Sequence, residues 1–289
     1  MPWVRVKHIL FPGNKGVFHV EQRKMDYHLH TFHSFDGRQS MDDLCRTMLD
    51  KGVQEICLTE HIEPGHTGEG VDVPPIWDVM LSEMAECRIK YPQLSIRAGV
   101  EIGDNPLCRE QTKLYLKDLP LDFHLLSLHL VNGVDCYDID KYFTGKTRQQ
   151  AYREYVEAKV ESVLDWQDFD SVAHIGYVAK YSAFTGPERA LVYEDAPDAF
   201  DTLLKYMISN DKCLEINTSG YGSTGDTLAH SSIVRRYIDL GGECFTFGSD
   251  SHDVERDYAD IERAKDAVRA MGGKYQASFC KRKKTLYRI

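Results

Sequence analysis

From Met25 onward the chain alternates short β-branched runs with longer amphipathic ones, and that alternation confines it to an α/β fold with helices covering a parallel sheet. Seven βα units can be read. Strands are expected over residues 26–30, 55–59, 95–101, 122–128, 170–174, 213–217 and 243–248. Apolar residues at helical spacing mark 40–51, 76–91, 148–166, 198–210, 231–240 and 258–271, and several of these runs end before a glycine. Two further short runs, 275–279 and 285–289, are expected to pair at the C-terminal edge. A chain of 289 residues, 42% of them hydrophobic, is long enough for one α/β barrel domain. Residues 1–24 lack the pattern and precede an internal methionine. They are set apart as an extension or an over-called start, which leaves 25–289 as the domain.

The longest apolar stretches are strand-sized, far short of the run of about 20 residues that spans a bilayer. The N-terminus has no long apolar core followed by a small-residue cleavage site, so a cytoplasmic protein without membrane association is expected. Eight cysteines are scattered without a C-x-x-C pair and read as reduced, mostly buried thiols. A formal charge of −10 argues against a nucleic-acid partner. The one basic run, Lys281 to Lys284, reads as a solvated turn.

Functional residues of a βα barrel gather at the C-terminal ends of the strands, where loops from different strands converge. His28 and His30 close the first expected strand and, two residues apart, share a face with Asp26. Glu60 and His61 end the second, Glu101 ends the third, His129 follows the fourth, His174 ends the fifth, and Asp250 and His252 follow the seventh. An isolated H-x-H pair says little in a chain with 12 histidines. Six of them at strand ends, beside Glu101 and Asp250, say much more. Imidazole and carboxylate suit zinc, manganese and iron, and a shared carboxylate can bridge two ions, which points to a multinuclear site. Such ions can generate hydroxide at neutral pH and clamp the oxygens of an in-line phosphoryl displacement. No G-x-S-x-G elbow, P-loop or dinucleotide fingerprint offers different chemistry.

The segments Asp26-Tyr27-His28-Leu29-His30-Thr31, Thr59-Glu60-His61, Gly99-Val100-Glu101-Ile102, Ser127-Leu128-His129, Ala173-His174-Ile175, Glu215-Ile216-Asn217-Thr218-Ser219-Gly220 and Gly248-Ser249-Asp250-Ser251-His252 occur in one order. In that order the chain resembles the PHP (polymerase and histidinol phosphatase) superfamily, and within it the histidinol-phosphate phosphatases. The resemblance implies a distorted (β/α)7 TIM-like barrel with a trinuclear metal site at the C-terminal strand ends. It assigns His28, His30, Glu101 and Asp250 to one ion, Glu101, His129 and His174 to a second, and Asp36, His61 and His252 to a third. Two to three divalent ions (Mn, Fe or Zn) are implied, with a metal-bound hydroxide held by Glu101, Asp250 and His129 as nucleophile. The implied substrate is a small phosphate ester, L-histidinol phosphate, and the implied role is in histidine biosynthesis. Asp36 stands where other branches carry histidine, and its carboxylate favours a harder metal.

The arginines that such phosphatases often carry near the fifth and sixth strand ends are absent. Lys180 follows His174 instead, with Arg189 and Arg256 as alternatives for the substrate phosphate. Lys180 is equally readable as surface charge. His66 and His230 lie in loops that could roof the pocket, either contacting substrate or standing as surface histidines. Glu215 and Asn217 share a strand face, as partners behind the ligands or as polar barrel interior. His33 and His124 are read as structural, His124 because its strand parity opposes that of His129. The competing functions are a PHP phosphoesterase acting on nucleotides or nucleic-acid ends, a metal-dependent amidohydrolase, and, outside enzymes, a metal store or sensor.

Overall fold

The computed structural model describes residues 17–66, 72–255 and 258–289. In chain order its strands are β1 (Val17–Gln22), β2 (Met25–Leu29), β3 (Glu55–Ile62), β4 (Ser95–Gly103), β5 (Phe123–Ser127), β6 (Leu130–Val131), β7 (Val134–Asp135), β8 (Ser171–Val172), β9 (Cys213–Asn217), β10 (Cys244–Gly248), β11 (Tyr275–Cys280) and β12 (Lys283–Arg288). Ten of them form one sheet in the order β1-β12-β11-β10-β9-β8-β5-β4-β3-β2, while β6 and β7 pair separately. Within the ten-stranded sheet of the described residues every neighbour pair is parallel except β11 with β12, and the separate β6–β7 pair is antiparallel. The sheet curls until β2 meets the chain leaving β10: Asp250 N donates to His28 O (2.9 Å) and His30 N to Ser251 O (3.0 Å). The result is an α/β fold with a curled, mostly parallel, TIM-like sheet.

Strands β2, β3, β5, β9 and β10 are buried along their whole length, as parallel strands must be when helices cover one face and side chains fill the other. The helices begin where local chemistry directs. Ser40 Oγ accepts from Asp43 N (3.0 Å) to start Met41–Asp50, and Thr147 and Gln150 form a capping box at the head of Arg148–Trp166. One apolar core lies between sheet and helices, and a smaller one fills the lower interior with Tyr27, Phe123, Leu125, Phe279 and Leu286. The Tyr27 and Phe123 rings meet edge to face at 5.2 Å, and Tyr27 Oη accepts from Phe279 N (2.7 Å).

Several elements differ from the sequence reading. Val17–Gln22, inside the segment set apart as an extension, forms a strand parallel to β12. The helix Arg109–Leu116, the turn of helix Tyr177–Lys180 and the β6–β7 hairpin are too short to carry a readable period. Cys213 and Cys244, expected as thiols, sit on adjacent strands with Cα atoms 5.0 Å apart and form a disulfide. The basic run is a hairpin turn, but not a solvated one throughout: Arg282 binds Asp168, Asp170 and His124 across the floor of the sheet. Among the described residues, no helix is long and apolar enough to cross a membrane.

Candidate metal centre

Parallel pairing puts the C-terminal ends of the strands at one rim, and the rim collects the donors. His28 comes from β2, His61 from β3, Glu101 from β4, and His30, His129, His174, Asp250 and His252 from the segments just past β2, β5, β8 and β10. Asp36 reaches in from the loop after β2. Glu101 is the hub. Its Oε2 lies 3.0 Å from His28 Nε2, 3.4 Å from His30 Nε2 and 3.2 Å from His61 Nδ1, and its Oε1 lies 2.7 Å from His174 Nε2 and 3.3 Å from His129 Nε2. Asp250 Oδ1 stands 3.6 Å from His28 Nε2 and 3.7 Å from His30 Nε2. Asp36 spans His61 (3.5 Å) and His252 (3.1 Å).

Four of the rings are held from behind through their other nitrogen, which fixes their orientation, whereas His174 Nδ1 is buried without a hydrogen-bond partner. His28 Nδ1 pairs with Glu215 (2.6 Å), His129 Nδ1 with Glu63 (2.8 Å), His30 Nδ1 with Ser34 (3.1 Å) and His252 Nδ1 with Asp250 O (3.1 Å). In contrast, His30 Nε2, His252 Nε2 and His61 Nδ1 are buried and have no hydrogen-bond partner. Orphaned nitrogens facing carboxylates are costly unless a cation satisfies both. The donor separations from His28 and His30 to Glu101 and Asp250 bracket the edge of about 3.4 Å expected for a tetrahedron with bonds of about 2.1 Å. Among the described residues three groups of donors lie close enough to hold an ion: His28, His30 and Asp250; His28, Glu101 and His174; and His30, His61 and His252. The residues therefore fit a metal cluster.

Electrostatics point the same way. Burial opposes charge on His28, yet the carboxylates of Glu215, Glu101 and Asp250 outweigh it and raise its pKa well above the ordinary value. For His30 burial wins, helped by the neighbouring His252 and His61, and its pKa falls well below. Burial would raise Glu101, but His28 and His61 pull it well below the carboxylate range. Glu63, buried against His129 and His61, is drawn down to about 2. A cluster so rich in ionised carboxylate calls for positive charge.

All nine expected ligands thus converge. Of the candidate substrate contacts among the described residues, one reaches the pocket and two do not. Lys180 lines the pocket, its Nζ 2.9 Å from Asp250 Oδ2. Arg189 turns away and donates to Ala179 O (3.2 Å) and Lys180 O (2.6 Å), tying down the helix turn that carries Lys180. His230 caps the helix Ser231–Asp239, its Nδ1 accepting from Ser232 N (3.2 Å), and is not among the residues lining the pocket. Arg256 lies outside the described residues. His66 does line the pocket, held by Asp135 (2.8 Å), which raises its pKa. The pocket encloses about 430 Å³ over the donors, walled by Phe35, Tyr137, Tyr177 and Tyr181. A second hollow adjoins it, lined by Asp253, Glu255 and Asp260 and sharing Arg38 and Lys180 with the first.

Sequence reasoning missed Glu63 and Arg38. Glu63 stands one residue beyond the end of β3, and its two-residue spacing from His61 was the available signal. Arg38 follows Asp36 by two, in a loop whose course no periodicity reveals.

Comparison with known proteins places this rim in a family. The PHP domain matches residues 26–219, and the chain belongs to the PHP domain family. The histidinol-phosphatase of Lactococcus lactis is 26% identical over 259 residues, covering 89% of this chain and 94% of its own. A probable histidinol-phosphatase of Clostridium acetobutylicum is 30% identical over 230 residues, covering 78% and 86%. The crystal structure of histidinol phosphate phosphatase from Lactococcus lactis, complexed with zinc, L-histidinol and phosphate, matches with a TM-score of 0.84 at 26% identity and covers 91% of this chain and 98% of that one.

Proposed function

We propose that the chain is a metal-dependent phosphomonoesterase that hydrolyses L-histidinol phosphate to L-histidinol and phosphate, a cytoplasmic enzyme of histidine biosynthesis. One observation carries the reading: the relative whose fold this chain shares over nine-tenths of its length holds zinc, L-histidinol and phosphate. In this reading residues 25–289 are a distorted (β/α)7 barrel whose rim binds two to three divalent ions, manganese, iron or zinc. His28, His30, Glu101 and Asp250 would hold the first, Glu101, His129 and His174 the second, and Asp36, His61 and His252 the third. Bound divalent ions supply a nucleophile at neutral pH and neutralise the charge gathering on the phosphoryl oxygens.

The chain's own side chains do the rest. Lys180 and Arg38, which both line the two hollows, hold the phosphate; Arg38 offers the planar fork that lysine lacks. Asp253, Glu255 and Asp260 make the adjoining hollow acidic, which suits the cationic amino end of histidinol and disfavours a polyanionic nucleotide. His66, whose hydrogen bond to Asp135 raises its pKa, delivers a proton from its imidazole to the leaving alkoxide. The four aromatic walls restrict water.

The test is an assay of the purified protein, reloaded with manganese, iron or zinc, on histidinol phosphate, nucleotides and an aryl phosphate. Histidinol phosphate should have the highest kcat/KM. Turnover confined to nucleotides overturns the substrate, and no turnover by fully metallated protein overturns the enzyme.

A further inference from the structure

A further hollow, of about 580 Å³, opens at the opposite end of the sheet. Its wall combines the start of β4 (Ser95 to Arg97), the chain entering β5 (Pro120 to Asp122), the last turn of the helix Trp77–Lys90 and the β11–β12 turn. Ser95 and Glu101 lie on one strand, six residues apart, so the hollow is about 20 Å from the metal centre.

In a chain of net charge −10, this wall carries four cations, Arg88, Arg97, Lys281 and Arg282, and one carboxylate, Asp122. That carboxylate is already used: Oδ1 accepts from Lys281 N (2.8 Å), Oδ2 accepts from Ala98 N (3.1 Å), and Oδ2 also lies 3.8 Å from Arg88 Nη2. Arg97 and Arg282 are matched from behind, by Glu55 and by Asp168 and Asp170, which lock their guanidiniums in place. Arg97 Nε is nevertheless buried without a hydrogen-bond partner. Arg88 is pinned through two bonds to Ile96 O (3.0 and 2.6 Å), and exposed Lys281 stands on the turn. Leu94, Ile96 and Leu121 supply an apolar side. A fixed cationic wall beside an apolar one, in a hollow of ligand size, recognises an anion with an apolar body.

We propose that this hollow is a second binding site, for a small organic anion carrying a phosphate or carboxylate on an apolar frame, remote from the metal centre.

Cys280 provides the readout, because it lines the hollow and is exposed, whereas the other described free cysteines are buried or partly so. Its alkylation is followed by peptide mass spectrometry on metal-loaded protein. The field of the wall should favour anionic iodoacetate over neutral iodoacetamide roughly tenfold more than at a small free thiol. Millimolar phenylphosphonate, which a phosphatase cannot hydrolyse, should slow iodoacetamide at Cys280 severalfold; benzyl alcohol should not. Protection should vanish in the Arg88→Gln, Lys281→Gln double variant, whose folding is confirmed by its melting temperature. An unremarkable iodoacetate preference overturns the proposal. So does protection that is absent, that benzyl alcohol matches, or that survives in the double variant, since it then comes from the metal centre.

Discussion

Glu101 touches five imidazoles within 3.4 Å, so its carboxylate sets the charge of the whole rim. Around it, roles separate by what a residue touches. His30 offers its orphaned Nε2 to the cluster, so His30→Ala should lower metal content and turnover together, read by elemental analysis beside kcat; an unaffected enzyme would mean the ligand set is wrong. Glu63 acts through His129 Nδ1. Its replacement in Glu63→Gln keeps the shape but weakens the orienting bond, and should cost about 10–100-fold in metal affinity or kcat. His66→Gln tests the proposed proton donor instead. Metal content should stay constant while kcat on histidinol phosphate falls about 100-fold, and an aryl phosphate, whose leaving group needs no proton, should be far less affected. Equal losses on both substrates would remove His66 from the proton-donor role.

At the scale of elements, the rim depends on close approach between β2, β9 and β10. Gly248 ends β10, and a Cβ there would sit 2.6 Å from Glu215 Oε1 and closer still to His28 Cβ. Gly248→Ala should therefore cost about 1–3 kcal/mol by overpacking and also displace His28, so that the melting temperature and the metal content fall together. A destabilised variant with full metal content would show that the rim tolerates the shift. The sequence made the convergence of the donors legible because parallel pairing turns strand ends into a spatial address, and β9, with Cys213–Asn217, falls where its pattern places it. The address fails beyond the strands. Arg189 and Lys180 lie nine residues apart with the same charge, yet one faces the pocket and the other binds main-chain carbonyls behind it. Short connecting elements such as Tyr177–Lys180 decide that direction, and they carry no period to read.

Across the whole molecule, the rim does its chemistry above a floor built from the far end of the chain. The β11–β12 hairpin carries Phe279 and Leu286 into the lower core, and its turn sets Arg282 against β5, where Nη1 donates to His124 Nδ1 (2.6 Å). His124 is 6% exposed, and burial together with the Arg282 cation pushes its pKa down to about 3 from 6.5. Unfolded His124 therefore takes up a proton before folded His124 does as the pH falls. Its contribution to stability is intact above about pH 6.5 and declines below, until about pH 3. Between pH 7.5 and 5 the loss amounts to about 2 kcal/mol, at about 1.4 kcal/mol per pH unit below 6.5. In His124→Asn the amide oxygen can still accept from Arg282 but cannot titrate. Urea melts of the two metal-loaded proteins should thus differ by about 2 kcal/mol less in favour of wild type at pH 5 than at pH 7.5. Parallel stability curves would show that His124 enters the folded state already able to hold its proton, and that the floor adds no acid dependence to the stability of this chain.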